Sequence, residues 1–464
     1  MPKSYEWLHW AEHKDVYGPI SAVNVLGQTI VILNTLEVAN DMLKTRSAAY
    51  SGRPVLQFAG EMIGWNRQMI LSTYNDHFKS MRKLVYRYIG TKAAISRHQP
   101  IQEREIRYFL ARVQDDPSQI LHYLRVAVGS IHLQLSHGYI METSRPDPLV
   151  TLVETAAQQF YAATRPGDWL VDIFPSLRRL PPWILGSKFT KTLNEFKGTN
   201  LEQANRPHDF VKREMASGSA IPSFTSTLIN EKEDEESIKW AANSLYGKSM
   251  HTGSCSGTAF FLAMVKNRDV QLRAQKEIDD IVGTSRLPTF ADLERLPYVA
   301  ALHTELLRWH TIGPMGIPHA TTDDDVYNGY FIPRGSIVLS NLWLIAHDPD
   351  NYDDPMAFKP ERFLGPDPQL DPRSYVFGFG RRRCPGLELA DATISLAIAM
   401  CLSAFTFSCE DQSPVDPRES FIPGTVCHPK PFNFDVAVRS PEKARLMKAV
   451  WDELPPPPSN ADKL

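Results

Sequence analysis

The sequence predicts a mainly α-helical chain carrying small β-sheets. Three observations lead there. From about Leu84 to Lys266 apolar residues recur at helical spacing, broken at the proline joints Phe174-Pro175, Pro181-Pro182 and Ile221-Pro222. Two hairpin patterns flank that stretch. Ser21 to Asn34 reads as two strands turning at Gly27-Gln28, and Asp325 to Ile332 as two strands turning at Asn328-Gly329, the strongest short-range hairpin signal. Finally, Leu387 to Ala404 reads as an apolar helix rich in small residues, with short strands after it.

The elements follow in order. Glu37 to Lys44 reads as a helix. Glu231 to Glu236 is a charge run, read as a solvated loop or helix start. It leads into a helical pattern from Ile238 to Val265, roughly thirty residues and about 40 Å at 1.5 Å per residue. Such a helix is long enough to cross a domain. The next helix sets Val270, Ala274, Ile278 and Ile281 on one face and stops at Gly283. Tyr298 to His310 is another helix. The tail at Pro455-Pro456-Pro457-Pro458 reads as an extended, mobile end.

Composition narrows the class. Hydrophobic residues make up 43% and charged residues 22%, both globular values. A net charge of −3 points to no nucleic acid partner. The 464 residues allow several domains or one large one. Five cysteines (Cys255, Cys384, Cys401, Cys409 and Cys427) include no Cys-x-x-Cys pair, which argues against a structural zinc site. Their odd number favours a reducing compartment. No apolar run reaches the roughly 18–20 residues of a membrane span, and no signal-peptide pattern opens the chain.

Cys384 stands apart. It follows Phe377-Gly378-Phe379-Gly380-Arg381-Arg382-Arg383 and precedes Pro385-Gly386. A cysteine beside an apolar helix is often an inert buried residue, and glycine-rich loops are often plain turns. An anionic sulfur on a tight backbone loop also suits an axial ligand to heme iron. The spacing Phe377-x-x-Gly380-x-Arg382-x-Cys384-x-Gly386 resembles the heme-binding loop of the cytochrome P450 superfamily. Two upstream segments resemble the same family in its order: Glu305-Leu306-Leu307-Arg308 and Pro360-Glu361-Arg362-Phe363. The resemblance runs from Tyr17-Gly18-Pro19-Ile20 to Arg439-Ser440-Pro441. Arg308-Trp309, His347-Asp348-Pro349 and the run from Phe377 to Gly386 resemble its fungal natural-product tailoring branch.

That resemblance implies one heme-thiolate domain over residues 1–464, with 455–464 as a proline-rich tail. It implies heme b (iron protoporphyrin IX) bound through Cys384. Gly380 and Gly386 would let the backbone turn closely around the sulfur, and Phe377 would pack against the heme. Arg382, Arg82 and His319 would pair with heme propionates. The family usually carries a tryptophan where this chain has Phe78, which has no ring N–H to donate. Glu305, Arg308 and Arg362 would form a structural ion-pair network, Glu305 and Arg308 lying on one side of a helix.

The activity implied is NADPH- and O₂-dependent oxidation of a small apolar secondary metabolite. Electrons would come from an FAD/FMN NADPH-cytochrome P450 reductase. Arg381, Arg383, Lys79, Lys83 and Arg87 would offer that acidic partner a basic patch, the other reading being a generic solvated surface. Members of this branch usually begin with a membrane anchor, and too little precedes Tyr17-Gly18-Pro19 for one. The resemblance therefore implies a longer form anchored on the cytosolic face of the endoplasmic reticulum, the alternative being a naturally soluble protein.

The chain departs from the family on the long helix. There the family carries Ala/Gly-Gly-x-Asp/Glu-Thr, whose acid and threonine relay protons during oxygen activation. The matching stretch here is Lys248-Ser249-Met250-His251-Thr252-Gly253. Thr252 is kept, His251 replaces the acid, and Lys248 and Ser249 replace the small residue and the glycine. One reading has His251 shuttle protons in the acid's place, which an imidazole suits. Another has an impaired relay and peroxide-driven or redox-neutral chemistry. In a third, His251 points into helix packing. Lys248 either faces the pocket and binds a polar substrate group or snorkels away. Met250 and Cys255 read as packing residues. Phe58, Met62, Trp65, Ile312 and Val426 would line the substrate pocket, and each can equally be plain core. A non-catalytic heme sensor is the reading from another class.

Overall fold

The computed structural model describes residues 4–247, 249–411 and 413–464, with the side chains of Ser249 and His251 outside that description. The contacts divide the chain into two units. One holds Met1–Gly52, Ile95–Ala127 and Thr252–Pro456, the other Arg53–Ala94, Val128–His251 and Pro457–Leu464.

The first unit contains a mixed four-stranded sheet. Ile20–Val25 pairs antiparallel with Gln28–Leu33, which pairs parallel with Ile337–Ser340, and His319–Ala320 closes the order antiparallel. The first hairpin turns at Leu26 (φ 51°) and Gly27 (φ 83°), one residue earlier than the sequence suggests. The second turns at Asn328 (φ 50°) and Gly329 (φ 83°), as expected. Two successive left-handed residues match the right-handed twist of the flanking strands. Val31, Leu33, Met42, Tyr50, Val338 and Phe379 belong to one buried cluster against this sheet. The helix expected over 37–44 is α-helical through Leu36–Asn40 and widens to a π-turn over Asp41–Thr45.

Helices complete the unit. Pro297 starts the Pro297–Trp309 helix, where its missing N–H costs nothing. Arg268–Ile281 ends before Gly283, whose φ is 82°. Leu387–Ala404 packs against these two and against Gln99–Asp115. Among the described residues it is the one helix long and apolar enough to cross a membrane, but it carries Glu388 and Asp391 and packs as a core helix.

The second unit is helical. The Asn75 side chain caps Asp76–Ile89 by accepting from the Phe78 N–H. Asp147 caps Pro148–Thr164 by accepting from the Leu149 and Val150 N–H groups. Ser187–Ala216 packs on Pro148–Thr164 and on Glu235–Gly247. The helical stretch expected over 238–265 is found as Glu235–Gly247 and Ser249–Lys266, on either side of Lys248, which lies outside the described residues. The end of the chain departs from the mobile tail expected. Residues after the prolines are docked: Ile140 N–H donates to Asn460 Oδ1 at 2.7 Å and Asn460 N–H to Ile140 O at 2.9 Å. Lys463 pairs with Glu214 at 2.8 Å. These reciprocal bonds supply the anchor that proline composition cannot reveal.

Candidate functional site

The Cys384 loop is a backbone construction. Gly378 (φ 79°) and Gly380 (φ 48°) both take left-handed conformations. A Cβ on Gly380 would collide with the Leu43 carbonyl and crowd Lys44 and Ser47, so only glycine lets the loop seat against the Asp41–Thr45 turn. The Cys384 N–H donates to the Phe377 carbonyl at 2.7 Å and closes the loop. Gly386 has φ −92°, open to any residue; it marks the start of the Leu387–Ala404 helix rather than a strained turn. Gly378 is the second conformationally required glycine, and its role is not evident from the motif alone.

The thiols differ sharply in setting. Cys255, Cys401 and Cys427 are buried, Cys409 is half-buried, and Cys384 is exposed. Burial pushes up the pKa of Cys255 and Cys401, and that of Cys427 to about 12. Those three stay protonated and inert. Cys384 is the one of the five that is exposed.

Two buried nitrogen-bearing side chains, a guanidinium and an imidazole, lie in the same unit. Arg382 Nε donates to the Ser51 carbonyl at 2.8 Å. His319, on the edge strand, sets Nδ1 against the Tyr50 carbonyl at 2.7 Å. Because a carbonyl only accepts, that nitrogen carries a proton. No periodicity in the sequence flags Tyr50, Ser51 or Gly52. Arg82 belongs to the second unit, half-buried on the Asp76–Ile89 helix that also buries Phe78 and Met81.

Glu305 is the centre of a closed ionic network. Arg308 donates through Nε to Oε2 and through Nη2 to Oε1, each at 2.7 Å. Arg362 Nε reaches Glu305 at 3.2 Å, and the Lys359 N–H donates to it at 2.7 Å. The remaining guanidinium N–H groups find carbonyls: Arg308 those of Ala346, Pro355 and Ala357, Arg362 those of Asp353, Asp354 and Ala357. The side chains of Glu305 and Arg308 are 0% exposed, so unpaired charge here would be costly.

On the Ser249–Lys266 helix Thr252 is half-buried, and its carbonyl accepts from Ser256 Oγ at 3.3 Å. The backbone at Ser249 and His251 is helical. Met250 and Cys255 are buried, as packing residues are. Cys255 Sγ and His310 Nε2 both donate to the Cys427 carbonyl, at 2.6 and 3.0 Å. The Cys427 N–H donates to Ile312 O at 2.8 Å, which brings together the segments carrying Ile312 and Val426, both half-buried.

Phe58, Trp65 and Met62 lie in the second unit, in an aromatic cluster. Phe58 stacks on Trp169 with centroids 3.6 Å apart and planes at 18°, and Trp65 meets Phe160 edge-on at 5.3 Å. Both are buried, while Met62 is half-buried at the cluster's edge. Of the basic residues on the Asp76–Ile89 helix, Arg87 is paired with Glu231 at 2.7 Å and Glu233 at 3.0 Å, and Lys79 with Asp76 at 2.9 Å. Their charges are largely neutralised locally. Arg381 and Arg383 are exposed.

This geometry has relatives. The cytochrome P450 family model matches residues 7–436. Cytochrome P450 monooxygenase claR of Ampulloclitocybe clavipes is 53% identical over 473 residues, covering 100% of this chain and 88% of that protein. Cytochrome P450 monooxygenase ppsD of Aspergillus oryzae is 38% identical over 476 residues, with 100% and 90% covered. O-methylsterigmatocystin oxidoreductase of Aspergillus flavus is 34% identical over 466 residues, with 98% and 87% covered. A zebrafish cytochrome P450 solved with progesterone superposes with a TM-score of 0.77 at 23% identity, covering 95% of this chain and 100% of that one. At that identity the likeness is one of fold. With the family model spanning nearly its whole length, the chain belongs to the cytochrome P450 family and is a monooxygenase that uses heme iron.

Proposed function

We propose that residues 1–464 act as one heme-thiolate domain that holds heme b through Cys384 and oxidises a small apolar secondary metabolite with O₂. Electrons come from NADPH through an FAD/FMN cytochrome P450 reductase. The observation that carries this reading is the exposure of Cys384 on a left-handed glycine loop, in a chain whose other thiols are buried or half-buried.

The residues suit the group. Gly378 and Gly380 supply the left-handed backbone that shapes the loop carrying the sulfur, and Gly380 seats it on the Asp41–Thr45 turn. Arg382 and His319 each set a nitrogen against a backbone carbonyl, and guanidinium and imidazole are groups whose N–H suits a carboxylate. In this reading they hold propionates with Arg82, while Phe377 packs on the ring and Gly386 leads into the following helix. When bound, the thiolate-ligated iron supplies the oxygen-activating chemistry. The Thr252 hydroxyl holds and passes protons, with the His251 imidazole in the place of the usual acid. Phe58, Met62, Trp65, Ile312 and Val426 orient the apolar substrate and exclude water, and Lys248 and Ser249 meet its polar groups. Arg381 and Arg383 dock the acidic flavoprotein. The protein works on the cytosolic face of the endoplasmic reticulum.

The replacement of the distal acid by His251 supports one second reading: peroxide-driven or redox-neutral rearrangement. Candidate substrates are first found by Soret shifts, then turned over with and without reductase while NADPH and product are counted. Monooxygenation requires one NADPH per product. Product without NADPH overturns the proposal in favour of rearrangement, and substrate binding without product leaves a heme sensor. His251→Ala is expected to raise peroxide release per NADPH at least several-fold; unchanged coupling removes His251 from the relay.

A further inference from the structure

Residues Ala49 to Gly52 form a ledge of four consecutive backbone carbonyls, each accepting a hydrogen bond within the first unit. Ala49 O accepts from the Thr322 N–H at 2.8 Å, Tyr50 O from His319 Nδ1 at 2.7 Å, Ser51 O from Arg382 Nε at 2.8 Å and Gly52 O from the Ala320 N–H at 3.1 Å. Two of the four donors are the side chains proposed above as propionate partners. The other two are the backbone amides of Ala320, in the strand, and Thr322, just after it, which fix the ledge beside His319. The approach is close: a Cβ on Gly52 would lie 2.5 Å from the Ala320 carbonyl.

The ledge is tied down from its far side. Tyr50 is fully buried, and its hydroxyl donates to Asp325 Oδ2 at 2.8 Å. Burial and that carboxylate raise the phenol's pKa, so it stays a donor. Arg46 Nη1 reaches the two oxygens of Asp325 at 2.9 and 3.0 Å and the Val326 carbonyl at 3.0 Å. Its guanidinium carbon lies 5.1 Å from the centre of the Tyr327 ring. The carbonyls of Tyr50 and Ser51 are one peptide apart, so a shift of Tyr50 moves the supports of His319 and Arg382 together.

We infer that Ala49–Gly52 is a positioning element for His319 and Arg382, with the Tyr50–Asp325 bond as the latch that sets the spacing of the two side chains. The inference rests on the reading of His319 and Arg382 as propionate partners. Tyr50 is a positioning residue that acts through its own carbonyl and its neighbour's. Its hydroxyl points to a surface hairpin, so the latch is separable from the residues meeting the cofactor.

The test uses the heme-loaded protein. Heme transfer to apomyoglobin and the heme reduction potential are measured for wild type, Tyr50→Phe, Asp325→Ala and Arg382→Ala. Tyr327→Phe is the control; it removes a hydroxyl of the same hairpin whose bond goes to Asp41 at 3.2 Å. Tyr50→Phe and Asp325→Ala are expected to speed heme transfer roughly tenfold, the size of one hydrogen bond to a charged group. They are also expected to move the potential to more negative values, because a loosened Arg382 guanidinium stabilises the reduced heme less. Tyr327→Phe should change neither. A fall in unfolding temperature with wild-type heme transfer and potential in both latch variants overturns the inference, because a merely structural bond moves only the former. Faster transfer in Arg382→Ala with wild-type latch variants overturns the latch alone and keeps the propionate reading. Wild-type transfer in Arg382→Ala overturns both. Should Tyr50→Phe not fold, Asp325→Ala breaks the same bond from its half-buried partner.

Discussion

The surroundings of Cys384 and the aromatic cluster around Phe58 are built on opposite principles. In the first, charges and backbone polar groups are matched atom to atom: Glu305 to Arg308, Arg382 to Ser51 O, His319 to Tyr50 O. In the second, Phe58, Trp169 and Phe189 hold one another through ring faces and edges, and Trp65 meets Phe160 edge-on. Directed bonds tolerate few residue types and leave short, spaced signatures. Ring packing tolerates many and leaves only composition.

That contrast is open to attack, beginning with its strongest member. Cys384→Ser is expected to abolish the thiolate-type ferrous–CO spectrum and all turnover; a retained spectrum would assign the ligand elsewhere. Glu305→Ala strands two buried guanidiniums and is expected to cost about 3–5 kcal/mol and prevent heme incorporation. A denaturant titration with a CO spectrum checks this, and a normal spectrum sinks the scaffold role. Phe58→Ala removes a stacked ring and is expected to cost about 3 kcal/mol. If stability holds while Soret shifts by substrates are lost, Phe58 is a pocket wall and the contrast narrows.

The polar side also carries buried neutral histidines. Burial holds His303 and His310 at about 4, below the ordinary value. Above pH 6.5 both states are neutral and these residues add no pH dependence. As the pH falls from 6.5 towards 4 the unfolded chain binds protons that the folded one refuses, so stability declines. By pH 5 the loss is about 2 kcal/mol per histidine. His310→Gln should remove its share of the change in denaturation midpoint between pH 7 and 5; an unaltered midpoint shift excludes His310. Smallest, Cys255→Ser keeps a donor for the Cys427 carbonyl and should cost less than about 1.5 kcal/mol. Cys255→Ala should shift substrate affinity more, if the bonds at Cys427 set the spacing of Ile312 and Val426.

Much of the fold was legible because local rules decide it. The Asn328-Gly329 turn, the Gly283 stop and the Leu387–Ala404 helix follow from φ preference and periodicity. The ionic network was legible from Glu305, Arg308 and Arg362 because each short segment must carry its charge at a fixed place. What stayed hidden was relational. The docking of Asn460 on Ile140, the need for glycine at Gly380 against Leu43, and the carbonyls of Tyr50 and Ser51 depend on segments far apart in the chain. Backbone acceptors are the same at every residue, so no sequence pattern marks the ones that matter.

By itself the sequence determined which residues are able to serve: the thiol at Cys384, the paired charges at Glu305 and Arg308, the hydroxyl at Thr252. It did so because thiolate, guanidinium and hydroxyl chemistry belongs to the side chain. The tertiary structure alone decided that Cys384 is exposed while Cys255, Cys401 and Cys427 are buried. It also decided that Arg382 and His319 rest on two adjacent carbonyls. Exposure and spacing are properties of packing, where segments hundreds of residues apart compete for the same space, and no local preference encodes their outcome.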